Sequence, residues 1–92
     1  MTIREELLVK VIASELVPKS VILQEIERHR QIHLQKLSEY KGIKQREFPD
    51  TSQLSYRLKC LYLTLRCGIR YETYRIDWCE EAIALLSEET NV

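Results

Sequence analysis

His29 and His33 stand four residues apart, with Glu25 one helical turn ahead of them. On a helix this H-x-x-x-H spacing puts both imidazoles on one face, where they could begin a transition-metal site. Such a site needs three or four convergent ligands. No glutamate lies between the two histidines as in an HExxH motif, and no cysteine or third histidine is near them in sequence. The plainer reading makes both seam residues at a helix–helix contact. No metal and no cofactor is therefore assigned, and His29, His33 and Glu25 remain weak metal candidates. A further reading is a pH-sensitive contact, because histidines stacked near a dimer axis would resist double protonation.

No other residues form a catalytic constellation, and the chain is not expected to be an enzyme. Gly42 and Gly68 are its only glycines, so G-x-S-x-G, a P-loop and GxGxxG are all absent. The adjacent carboxylates Glu5/Glu6, Glu80/Glu81 and Glu88/Glu89 diverge by about 100° on a helix and read as solvated faces. Arg66, Arg70, Tyr71, Tyr74 and Arg75 are the nearest thing to a nucleic-acid patch. Phosphate binding needs several uncompensated cations, and Glu72 and Asp77 interrupt this run. Arginine–tyrosine stacking and surface ion pairs suit it better. Trp78 reads as a core or interface anchor. Cys60, Cys67 and Cys79 contain no C-x-x-C pair. Cys60 and Cys67 would lie about 10 Å apart on one helix face, too far to bridge. All three read as small buried apolar residues in a reducing compartment.

The elements that carry these residues follow from composition. The chain has 92 residues, 14 Lys and Arg against 14 Asp and Glu, and 45% hydrophobic residues. That allows one domain and excludes disorder. Zero net charge argues against a nucleic-acid-binding surface. Two glycines and two prolines are too few for a turn-rich β architecture, so the reading is all-α. No run of 18 apolar residues crosses a membrane and no apolar signal core opens the chain, so a cytoplasmic protein is expected.

Four helices are expected, over about 2–15, 18–45, 52–67 and 70–87. The first opens on a Thr2–Glu5 capping box and ends before Pro18. The second starts with Pro18 in its first turn, lacks a side-chain cap and is the longest, at roughly 40 Å. Its seam reads Ile22, Ile26, His29, His33, Lys36 or Leu37, Tyr40 and Ile43, in near-heptad steps. A compact chain of this size has a radius of gyration near 12 Å, so such a helix overhangs its own body. Its seam is most simply covered by the same helix of a second copy. Phe48-Pro49-Asp50-Thr51-Ser52 is the linker, with Asp50 and Gln53 resembling another capping box. Gly68 fits as the left-handed residue that closes the third helix. The fourth is apolar over two stripes, Tyr71/Tyr74/Trp78/Ala82/Leu85 and Ile76/Cys79/Ile83/Leu86, and so must touch two partners. The architecture expected is antiparallel, coiled-coil-like packing with one long helix, completed by homodimerisation.

The run Leu63-Thr64-Leu65-Arg66-Cys67-Gly68-Ile69-Arg70-Tyr71-Glu72, followed by Ile76-Asp77-Trp78-Cys79-Glu80-Glu81-Ala82-Ile83, resembles the C-terminal domain of PadR-like transcriptional regulators of the virulence activator alpha C-terminal type. Leu7-Leu8-Val9-Lys10, Leu16-Val17-Pro18, Ile26-Glu27-Arg28-His29-Arg30 and Leu37-Ser38-Glu39-Tyr40 look like the opening helices of the same domain. The likeness covers essentially the whole chain. It implies a helical dimerisation domain, in a family whose N-terminal winged helix-turn-helix binds DNA. That domain is absent from these 92 residues, so an excised domain is favoured over a natural stand-alone one. The partners implied are a second copy, DNA only through the absent domain, and a small-molecule effector. The dimer interface is expected at Ile22, Ile26, His29, His33, Leu37, Tyr40, Tyr74, Trp78 and Ile83. The alternative is a stand-alone helical small-molecule or metal sensor, with its ligand near His29, His33, Tyr40 or Trp78.

Overall fold

The computed structural model describes residues 17–88. The helix expected over 2–15, with its Thr2–Glu5 capping box, lies outside them. The described residues form two long helices, α1 (Lys19–Glu47) and α2 (Tyr56–Ser87), joined by a short linker. No strand occurs among them. At 1.5 Å per residue the helices are roughly 44 and 48 Å long. The radius of gyration, 17.4 Å, exceeds the ~12 Å of a compact chain this size.

Helix α1 begins without a side-chain cap. Pro18 is the cap residue itself, just outside the first turn, and its carbonyl accepts from the Val21 and Ile22 amides. The helix stops at Phe48 because Pro49 follows. The clash between a proline ring and the preceding residue pushes that residue out of the helical region. Phe48 accordingly sits at φ −134°, ψ 52°, with its ring 5.4 Å from that of Tyr62 on α2. The solvated side of α1 carries short-range pairs, Glu25–Arg28, Glu27–Arg30 and Glu27–Gln31. Exposed pairs of this kind contribute little each.

Two expectations for the second half are corrected. Asp50 does not cap a helix. Its carboxylate accepts from the Ser52 amide at 2.9 Å and the Ser52 hydroxyl at 2.7 Å, which forms a turn. The helix starts later, with Ser55 as cap accepting from the Leu58 amide at 3.3 Å. Nor does Gly68 end anything. No described glycine has a positive φ, and the helices expected over 52–67 and 70–87 are one continuous α2. The described residues thus hold two helices where three were expected. Gly68 is there for close approach: a Cβ on it would stand 3.1 Å from Cε2 of Tyr40, whose ring presses on the α2 backbone.

The two helices pack antiparallel, Ile26 near Cys79 at one end and Phe48 on Tyr62 at the other. Buried positions step by four and three: Ile22, Ile26, His29, His33 on α1, and Ile69, Glu72, Ile76, Cys79 on α2, with Arg75 beside them. Ile22, Ile26 and Cys79 form the apolar core, flanked by Val17, Trp78, Ala82, Ile83 and Leu86.

Candidate functional site

Midway along the hairpin the apolar seam gives way to polar residues. His29 and His33 on α1 face Glu72 and Arg75 on α2, and all four are buried. Helical spacing does this: His29 and His33 are one turn apart, as are Glu72 and Arg75, and each pair falls where the seam meets the other helix.

His33 Nδ1 is hydrogen-bonded to the Glu72 carboxylate, linking the helices. The Tyr71 ring meets His33 edge-on at 6.2 Å. His29 lies 6.5 Å from His33, ring to ring, with its Nε2 at 3.4 Å from both Glu25 Oε1 and Arg28 Nη2. Burial, and then the Arg28 charge, hold the His29 imidazole below its ordinary pKa, with Glu25 opposing them. Arg75 lies against Trp78, its Cζ 5.1 Å from the ring centre. The Nδ1 of His29 and the Nε and Nη2 of Arg75 are buried without a hydrogen-bond partner. Burial also raises the Cys79 thiol above its usual pKa.

The residues singled out by sequence are thus distributed. Glu25 and His29 are neighbours, but His33 turns to Glu72 instead of joining them. No group of three or more His, Cys, Asp or Glu side chains among the described residues could hold a metal ion. Ile22, Ile26, His29 and His33 are buried inside the hairpin. Leu37, Tyr40, Trp78 and Ile83 are half-buried, and Tyr74 is 57% exposed. Cys79 is buried as expected, but Cys60 and Cys67 are exposed. Of the basic-aromatic run, Arg75 points inward. Arg66, Arg70, Tyr71 and Tyr74 line an open groove on α2 with Tyr62, Leu63 and Cys67, of about 690 Å³. No helix of the described residues is long and apolar enough to cross a membrane.

Sequence reasoning missed Glu72 and Arg75 as members of a buried layer. The signal was present: Glu72 occupies a seam position in the run Ile69, Glu72, Ile76, Cys79. A charge at such a position must find a partner across the seam.

The family described as "Virulence activator alpha C-term" matches residues 3–87. The probable transcriptional regulator Rv1176c of Mycobacterium tuberculosis is 43% identical over 53 residues, which is 58% of this chain and 28% of that protein's length. No solved structure matches.

Proposed function

The chain belongs to the Virulence activator alpha C-term family, and from that premise we propose that it is the C-terminal dimerisation domain of a PadR-like transcriptional regulator. In this reading two copies pair, and each carries a DNA-binding winged helix-turn-helix that lies outside these 92 residues. The domain has no catalytic role and works in the cytoplasm. The family match over residues 3–87 carries the proposal. The name of the mycobacterial relative, a probable transcriptional regulator, agrees with it.

The pairing half of the reading draws on α2. One of its apolar stripes, Ile76/Cys79/Ile83/Leu86, packs into the hairpin. The other leaves Tyr71, Tyr74 and Leu85 at 44%, 57% and 64% exposure, and Leu61 and Leu63 continue the exposed surface toward the linker. Tyr74, Trp78, Ile83, Leu37 and Tyr40 would lie in or beside the contact between copies. Ile22, Ile26, His29 and His33 would support it from within each hairpin.

Light scattering on the full chain across a dilution series tests this. The expected mass is twice 11.0 kDa, unchanged on dilution. Tyr74→Asp, which puts a charge on the exposed stripe, should give monomers of unchanged helicity. A well-folded wild-type monomer overturns the pairing. Effector sensing is a second reading, favoured by the orphaned donors of the buried layer.

A further inference from the structure

The outer side of α2 carries a charge pattern that the hairpin itself does not use. Lys59, Arg66, Arg70, Asp77, Glu81 and Glu88 follow one another at steps of seven, four, seven, four and seven residues. Seven and four residues are close to two turns and one turn, so these positions share one side of the helix, with Glu88 just past its end. The first three are cations and the last three carboxylates. All are exposed except Arg66, which is half-buried. None of them forms an ion pair among the described residues. The stripe runs beside the exposed apolar surface of α2, where Leu63, Tyr74 and Leu85 are 67%, 57% and 64% exposed. Arg66 and Arg70 line one groove with Leu63 and Tyr74.

The pattern is antisymmetric about the point between Thr73 and Tyr74. Arg70 and Asp77 are equally far from it, as are Arg66 and Glu81, and Lys59 and Glu88. Turning the helix end for end about that point sets every cation of the stripe on a carboxylate. A two-fold axis does the same for a second copy. In an antiparallel helix pair, one flank runs beside the same flank of the partner in reverse order. The same operation sets Leu63 level with Ala84 of the partner subunit and Leu85 level with Tyr62 of the partner subunit. It brings the two Tyr74 side by side at the axis.

We propose that the stripe docks a second copy of this chain, α2 against α2, antiparallel and centred between Thr73 and Tyr74. Lys59, Arg66 and Arg70 then pair with the partner's Glu88, Glu81 and Asp77, and the reverse pairs form by symmetry. Each exposed ion pair contributes little to affinity. Their effect is on orientation and choice of partner, as at the flanking positions of coiled coils. A slip of one turn in either direction keeps only one of the three pairings. A partner without the mirrored signs meets like charges, so the stripe selects a like chain. The inference rests on the pairing proposed above and adds its register and its selectivity.

Two charge-reversed variants of the full chain test it. One carries Lys59→Glu, Arg66→Glu and Arg70→Glu, so its stripe is wholly acidic. The other carries Asp77→Lys, Glu81→Lys and Glu88→Lys, so its stripe is wholly basic. Sedimentation should show self-pairing of each weakened at least ~100-fold against wild type, with helicity by circular dichroism unchanged. An equal mixture should form a one-to-one heterodimer, identified by native mass spectrometry. Raising salt from about 50 mM to about 1 M should weaken the heterodimer and strengthen the self-pairing of each variant. If Arg66→Glu disturbs folding, Lys59→Glu/Arg70→Glu mixed with Asp77→Lys/Glu88→Lys makes the same test at exposed positions alone. The register is overturned if either variant pairs with itself as wild type does, or if the mixture does not pair. Either result beside a wild-type dimer removes the register and leaves the dimer standing, whereas a wild-type monomer removes both.

Discussion

The His33–Glu72 pair is the interaction whose loss should cost most, because it joins the two helices where water hardly reaches. The two residues are 5% and 3% exposed. Glu72→Leu keeps the side chain's bulk but leaves His33 Nδ1 buried without its acceptor. His33→Leu does the reverse and strands a carboxylate. Leaving one member of a buried polar pair unsatisfied costs about 1–3 kcal/mol, and up to about 5 kcal/mol if it is charged. Each single change should therefore cost about 2–4 kcal/mol. For a chain of this size that lowers Tm by roughly 10–20 °C. The double variant removes both groups and extends the apolar seam between Ile26, Ile69, Ile76 and Cys79. It should fall within about 1 kcal/mol of wild type, since replacing both partners by apolar groups of similar shape is nearly neutral. Urea unfolding of the four proteins, followed by circular dichroism at one fixed protomer concentration, measures the cycle. Two single changes that add to within about 0.5 kcal/mol would refute the reasoning and reduce the pair to a contact of no consequence.

Gly68→Ala should destabilise by about 1 kcal/mol. The helix-propensity gain of about 1 kcal/mol is outweighed by overpacking against Tyr40, 3.1 Å from the new Cβ. In a Tyr40→Leu background the same change should stabilise, and urea midpoints in the two backgrounds show whether the sign reverses. Stability should fall as pH drops below 6.5, the ordinary value for His29. The unfolded imidazole takes up a proton there while the folded one resists, so the unfolded state binds more protons. Thermal unfolding of His29→Asn against pH should show a flatter curve over that window. The Asp50 carboxyl, held down by the Ser52 amide, acts only below its usual 3.8 and does not confuse the reading. Ser55→Ala should cost about 0.5–1 kcal/mol by removing the cap of α2, and denaturant titration reads it.

The first long helix was legible because its seam is continuous. Ile22, Ile26, His29 and His33 step by four and three, and Pro49 marks where it must stop. The second was split in the reading because a glycine after a leucine-rich run looks like a helix end. Gly68 has the same composition signal whether it adopts a left-handed turn or lies beneath an aromatic ring. What separates the two is Tyr40, twenty-eight residues away in sequence, and no local pattern contains it. The unbroken steps Leu65, Ile69, Glu72, Ile76 across the glycine were the better guide. The buried layer was half legible. Two histidines on a seam drew attention because they are rare there, and they were placed against a second copy. Arg75 reads as a member of a surface patch and Glu72 as an interruption of it, because charged residues are seldom buried and a single helix does not say which charges face its neighbour.

The polar layer also decides how far one helix can slide along the other. An apolar heptad seam is forgiving, since a shift of seven residues sets one aliphatic side chain against another. Here such a slip would bring Glu72 against Ile26 and His33 against Leu65, burying a charge and an imidazole among hydrocarbon with no partner for either. One polar pair among apolar neighbours is a known way to hold two helices to a single alignment. A rod held in this way cannot creep under load. One pair midway along the hairpin thus fixes the relative placing of two ends some 40 Å apart.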